Sequence, residues 1–420
     1  MAYSLREKNK EICDRLLCWM EKEGFRGWDP HDALNSPFLK GLSKVHPWAG
    51  ITGLQLVKRC PINLRPLLRV PKTINPKGMG LVLAASIRRY KVWRQKEDLE
   101  RAAWICEWLE ANISPGYSGA CWGYPFDWPN RSFYAPYGTP NIVNTAFIGH
   151  ALLDFYDITG DKKWLKVAES IGSFICNDLN RTQGKGGFCF SYTPFDLSRV
   201  HNANLLGASL LARVGRITWN PGLIKMALNS AGFSLKSQAP DGSWPYGEAP
   251  NQAWVDSFHT GYNLMALKQI WEASHDPSVK QALDQGYGYY LSHFFLRDGI
   301  VRYFDNRTEP LDAHAFAHAL ICLTEMCMHP DTPLDLASRV LEKMIRTFWS
   351  GQGYFYWQRR NGLTYRMPCM RWVQAWVLLA LSNYALWFDM SPSFAPGHAY
   401  DNDKRYGERI KWEESGSLIS

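Results

Sequence analysis

No window of this 420-residue chain approaches the run of about eighteen apolar residues that a membrane-spanning helix requires. No run of lysines and arginines stands out, no CxxC pair occurs, and no long stretch has the composition of a disordered tract. The phosphate-cradling patterns GxGxxG and GxxxxGK(S/T) are missing, as is the nucleophile elbow GxSxG. These absences argue against stable membrane insertion, nucleic-acid binding, nucleotide binding and serine-hydrolase chemistry. The first residues, MAYSLREKNKEICDRLLCWM, place charges ahead of apolar positions at helical spacing, and so read as a helix rather than a secretion signal.

The ten cysteines are scattered, mostly in apolar helical stretches, which points to a reducing cytoplasm without disulfides or zinc. With 47 basic and 39 acidic residues the formal charge is +8, and an acidic small molecule or glycan suits it better than nucleic acid. What the chain has in excess is aromatic residues, 14% of the total and including 19 tryptophans. Many cluster in Gly-rich loops instead of on apolar helix faces, a placement that suits a ligand platform.

Those loops repeat. GYSGACWGYPFDW begins at Gly116, GKGGFCFSY at Gly184, DGSWPYGE at Asp241, DGIVRYF at Asp298 and GQGYFYWQ at Gly351. Each precedes an apolar helix starting near Asn141, His201, Val255, Leu311 or Arg371, and a more amphipathic helix follows each of the first four. Counting back adds an inner helix from Lys77, an outer one from Glu97, and an N-terminal outer helix from Ser4 to Glu23. Six inner and six outer helices predict an all-α (α/α)6 barrel over residues 1–390; an open solenoid, the alternative, usually has shorter repeats. Residues 24–76 read as an insertion crossing the barrel mouth, and 391–420 as a loosely packed tail.

Polar residues gather where the inner helices begin: Asn141, Asn144, His201, Asn202, Asn204, Asp256, His259, Asp312, His314, Arg371 and Gln374. Asn141 and Asp256 suit helix capping, whereas histidine is a poor N-cap, so His201, His259 and His314 are the stronger functional candidates. The densest segment holds Trp244, Tyr246, Glu248, Trp254, Asp256 and His259. The insertion adds Trp28, Asp29, His31 and Asp32, and the first aromatic loop adds Trp122, Tyr124 and Asp127. Aromatics that stack on sugar faces beside groups that bond hydroxyls are the equipment of a pyranose site. His314 and His318 have the spacing of paired metal ligands, but HAFAH lacks the protease glutamate, so a site without metal or cofactor is expected.

The repeated loops and the six-hairpin count resemble the α/α toroid enzymes, which include glycoside hydrolases, polysaccharide lyases, sugar epimerases and terpene cyclases. The terpene cyclases' DxDD motif is absent. GFRGWDPHDALNS and WVDSFHTGYNL resemble barrel proteins associated with bacterial exopolysaccharide and O-antigen biosynthesis. WVDSFHT is also similar to a stretch of glucuronyl C5-epimerases, and RWVQAW to unsaturated glucuronyl hydrolases. The resemblance implies a carbohydrate-active enzyme working on an acidic, uronate-type glycan or lipid-linked oligosaccharide. An epimerase or lyase would draw on His201, His259, Tyr246 and Arg371; a glycosidase would draw on Asp256, Asp312, Glu248 and Asp29. A non-catalytic glycan-binding protein would use the same aromatics without proton transfer.

Overall fold

The structure is a computed structural model that describes residues 2–130, 133–333 and 335–390; the tail expected over 391–420 lies outside the described residues. The chain starts with α1 (Ala2–Lys22), followed in the insertion by α2 (Pro37–Val45) and α3 (Pro47–Arg59). The regular hairpins come next: α4 (Pro76–Trp93), α5 (Lys96–Ala111), α6 (Ile142–Thr159), α7 (Lys162–Asn177), α8 (His201–Ile217) and α9 (Pro221–Lys236). The last are α10 (Ser257–Ser274), α11 (Pro277–Phe294), α12 (Ala313–Glu325), α13 (Leu336–Phe348) and α14 (Ala375–Met390). The even-numbered helices from α4 to α14 pack each on the next, and α14 returns to α4. This is a closed (α/α)6 barrel, with α1, α5, α7, α9, α11 and α13 outside it.

Sequence decides which layer a helix joins. From His201 to Gly215 every residue of α8 is buried, as a helix enclosed on all sides must be. In α13, Leu336, Ala337, Val340, Leu341, Met344, Ile345 and Phe348 form one buried stripe at the spacing of a helix with a wet outer face. Helix starts are well marked. Asn75, Asn141, Asp161, Asn220, Asp256 and Asp276 cap α4, α6, α7, α9, α10 and α11 through their side chains, and proline opens α4, α9 and α11.

The connecting loops contain small antiparallel ribbons, such as Arg181–Gly184 with Gly187–Phe190, and Leu311–Asp312 with Gln358–Arg360 and Leu363–Tyr365. Arg26–Gly27 pairs with Thr73–Ile74 and closes the base of the insertion.

A repeated hydrogen bond ties the loops to the helix starts. The first N–H of an α-helix has no intrahelical partner. Here Ile142 of α6 donates to Tyr192 O at 3.0 Å, His201 of α8 to Tyr246 O at 3.1 Å, Ser257 of α10 to Tyr303 O at 3.0 Å, and Ala313 of α12 to Trp357 O at 3.0 Å. Met370, which opens the π-turn leading into α14, donates to Trp28 O at 3.1 Å. In every case the acceptor belongs to the loop of the next hairpin round the ring. The sixth position is Pro76 of α4, which has no N–H, and Tyr124 O instead accepts from Gly138.

Two residues before Tyr124, Tyr192, Tyr246, Tyr303 and Trp357 stands a plug: Trp122, Phe190, Trp244, Val301 and Phe355 are all at most 2% exposed, whereas Arg26, two before Trp28, is exposed. Trp122 donates its indole N–H to Leu109 O on α5, and Trp244 donates to Ser234 O on α9. A Cβ at Gly286 would overlap the Trp244 ring, so α11 approaches through a residue without a side chain. Trp244→Ala is expected to destabilise the protein by about 3–5 kcal/mol through lost burial and a cavity. Denaturant unfolding checks this, and an unchanged midpoint would refute the plug assignment.

Candidate active site

The ring of hydrogen bonds sets the inner-helix starts and the loop aromatics around one opening. Asp256 caps α10, its Oδ1 accepting the His259 N–H at 2.9 Å. Its Oδ2 accepts the Trp254 indole N–H at 2.9 Å and lies 2.6 Å from His259 Nδ1. Because a helical turn brings residues three apart to one face, cap and ring partner are the same carboxylate. With Nδ1 held by Asp256, His259 Nε2 has no hydrogen-bond partner among the described residues. The His259 side chain keeps 21% of its surface exposed. Tyr246, stacked on Trp254 at 4.6 Å, lies 4.6 Å from the imidazole between ring centres.

A second histidine lies across the Phe258 ring. Phe258 is 4.1 Å from His259 and 4.7 Å from His314 between centroids. His314 Nε2 is 2.7 Å from the Tyr262 hydroxyl, while its buried Nδ1 has no protein partner. Burial, with the charge of Lys77 next in importance, holds His314 well below the usual histidine range, so the ring is neutral. Its walls are Trp376, stacked at 4.9 Å, and Trp372, edge-on at 4.7 Å. Both indole N–H groups are buried without a protein acceptor. Unpaired buried polar groups cost about 1–3 kcal/mol each, and here they cluster round one histidine.

Lys77, in the first turn of α4, sends its ammonium against Phe147, Tyr262 and Trp376 at 4.3, 5.2 and 5.4 Å from the ring centres. No carboxylate lies within ion-pair distance of it among the described residues. Burial pulls the Lys77 pKa well below the usual lysine range, and the Arg371 charge adds to that.

The insertion reaches the same opening. Arg371 grips Asp29 through two hydrogen bonds of 2.6 and 2.9 Å. Asp32, pushed up to about 6 chiefly by burial, accepts from the Asp29 N–H and from Arg65. His31 lies 5.8 Å from Trp372 and 6.5 Å from Trp128, and its Nε2 is 3.4 Å from Lys58 Nζ. Arg371 also covers the Tyr124 ring at 4.8 Å. Asp312 caps α12 and accepts from Trp357 and Gln358, while burial raises it to about 7.

The chain shares the fold of known sugar epimerases. A sugar epimerase from a ruminal bacterium superposes with a TM-score of 0.60 at 16% identity, over 78% of this chain and 89% of the other. Cellobiose 2-epimerase from Bacillus thermoamylovorans gives 0.57 at 12% identity, over 76% and 88%. A GH76 α-mannanase from Bacteroides thetaiotaomicron gives 0.58 at 11% identity, over 76% and 88%. No family model and no curated protein matches the sequence.

Several residues singled out from the sequence are not at the opening. His201 and Asn204 face outward onto α9, bonding Ser234 and Ser230. The three histidines stand one, three and two residues after their caps, and at about 100° per residue they point in different directions. Trp122 and Trp244 are core plugs, and Trp28 is tied by its indole to Val70 O. Glu248 is exposed and pairs with Arg199. Lys77, Tyr262, Trp372 and Trp376 are not singled out by the sequence, and His318 is weighed there only as a metal-ligand partner of His314. Tyr262 lies three residues beyond His259, a spacing that shares its face, and Lys77 is a lone charge opening an apolar helix. Among the described residues, no group of three or more His, Cys, Asp and Glu side chains is placed to hold a metal ion. Two surface depressions lie elsewhere, by Phe25 and Trp104 and by Leu42 and Trp48, and neither is lined by a histidine.

Burial holds His201 down to about 4, from an ordinary 6.5. The folded state thus disfavours its charged form, and the stability it contributes is present above pH 6.5 and lost as pH falls through about 4. His201→Gln is expected to flatten this part of the thermal-midpoint profile. Superimposable profiles would place the acid sensitivity elsewhere.

Proposed function

We propose that this protein is a carbohydrate-active enzyme that removes and replaces a carbon-bound proton on a sugar, with His259 and His314 as the acid–base pair. The observation that carries this reading is the pair of imidazoles flanking Phe258, one oriented by Asp256 and the other by Tyr262. Neutral His314 takes the proton next to a carbonyl or carboxylate, and His259, held in orientation by Asp256, returns one to the opposite face. In the reverse direction the roles exchange. Tyr246 and Trp254 form the stacking wall.

Hydrolysis is the weaker reading. It needs two carboxyl groups available to substrate, and Asp29, Asp256 and Asp312 are each engaged by two or more protein donors. An α-1,6-mannanase from Salegentibacter, similar in fold, is inactive when two adjacent aspartates become asparagine. No Asp–Asp pair occurs in this sequence.

We assign the substrate as an acidic, uronate-type glycan or lipid-linked oligosaccharide, because Lys77 offers a buried amine with no ion-pair partner to a substrate carboxylate. Ten unpaired thiols support a reducing compartment, and so a cytoplasmic place in exopolysaccharide assembly.

Incubation with uronate-containing and neutral oligosaccharides in heavy water tests the chemistry. Deuterium at one sugar carbon with inverted configuration is expected. Chain shortening without carbon-bound deuterium would overturn it in favour of hydrolysis, and an unsaturated product would mean elimination. His259→Asn and His314→Asn should each lower turnover by about 10²–10⁴-fold while unfolding at the wild-type temperature. Lys77→Met should raise KM for acidic sugars and spare neutral ones; an equal rise for both would remove the acidic assignment.

A further inference from the structure

The α2–α3 hairpin is apolar on both sides. Its inner side packs Leu39, Leu54 and Val57 against Ala33 and Leu34 of the preceding 3-10 turn in a small core separate from the barrel core. Its outer side leaves Leu42 at 49%, Trp48 at 69% and Leu56 at 67% exposure, lining one shallow trough. Phe38, 52% exposed, adjoins them in sequence. Burial on one side explains an amphipathic helix pair; it does not explain a tryptophan and two leucines facing water together.

Charge points to what covers them. Between Asp32 and Glu97 the sequence contains no acidic residue, while 33–76 carries Lys40, Lys44, Lys58, Arg59, Arg65, Arg69 and Lys72. Lys40, Arg59 and Arg69 are exposed, and the Arg69 guanidinium lies 5.8 Å from the Phe38 ring centre. Exposed Trp and Leu beside basic side chains are the composition of a helix that lies in a membrane interface. A symmetric contact with a second copy would bring these like charges together.

The hairpin stands beside the opening. Asn35 Nδ2 donates to Pro125 O at 2.8 Å, and the Tyr365 hydroxyl donates to Arg59 O at 3.2 Å. Lys58, at the end of α3, reaches His31. We propose that the α2–α3 hairpin docks the mouth of the barrel onto an anionic lipid surface, with Leu42, Trp48 and Leu56 entering the headgroup layer. Docking is peripheral: no helix among the described residues is long and apolar enough to cross a bilayer. It places the opening where the sugar of a lipid-linked glycan sits, yet it rests on observations separate from the acid–base pair.

Co-sedimentation of the full chain with vesicles tests it. Binding is expected to vesicles of equimolar phosphatidylglycerol and phosphatidylcholine, to weaken with added salt, and to be absent from phosphatidylcholine alone. The double variant Trp48→Glu with Leu56→Glu should bind about tenfold less and keep the wild-type circular dichroism and turnover of soluble sugar. Lys40→Glu with Arg69→Glu, which leaves the hairpin core intact, should weaken binding similarly. Failure to bind anionic vesicles, or equal binding by all variants, would overturn the proposal. So would a concentration-dependent dimer that the Trp48 and Leu56 changes dissociate, which would give the face to a second copy. Lipid binding without sugar turnover would leave the docking assignment standing and remove only the catalytic one.

Discussion

One backbone hydrogen bond, repeated around the ring, carries the logic of this barrel. The exposed first N–H of an inner helix must find an acceptor, and it finds the carbonyl of an aromatic residue in the next hairpin's loop. That bond fixes where the aromatic ring stands, which helix starts face each other, and how far neighbouring hairpins are rotated. In the Tyr192, Tyr246, Tyr303 and Trp357 loops, a plug two residues earlier anchors the same loop into the helical layers. The opening is thus built by main chain, and side chains are left to do chemistry.

Carboxylates in the opening are used as mechanical parts. Asp29 fastens the insertion to Arg371, Asp312 fastens the start of α12 to Trp357 and Gln358, and Asp256 both caps α10 and orients His259. With acids committed in this way, the groups with spare capacity are imidazoles, indole N–H groups and one amine. Aromatic walls lower the local dielectric, so an incoming charge is felt more strongly there than in water.

The barrel was legible because both of its signals are local. Inner helices such as α8 are apolar all round, outer ones such as α13 carry a stripe, and Gly-aromatic loops mark every turn of the ring. The histidines were legible as polar residues at inner-helix starts but not as geometry. His201, His259 and His314 look equivalent in a repeat, yet a shift of one residue relative to the cap turns a side chain by about 100°, enough to send His201 to the outer layer. Trp122 and Tyr124 show the same limit. Two aromatics in one loop cannot be sorted into plug and wall without knowing that the first indole reaches Leu109 O on α5. Lys77 was hidden by its surroundings, because the three rings that enclose it come from α6, α10 and α14.

Pro76 interrupts the ring at one point, and the two longest connections in the chain, the insertion and the loop between α5 and α6, enter on either side of it. No helix N–H holds the loop between α5 and α6, which is secured by its own Gly138 and can lengthen without unpicking its neighbours, while the insertion is held at Trp28 by the Met370 N–H and enlarges between that bond and Pro76. The barrel therefore has a seam. Across a lineage of such proteins, segments could be exchanged or enlarged at that seam while the other five joints kept His259 and His314 in register. New specificities would then arise beside α4 before they arose anywhere else.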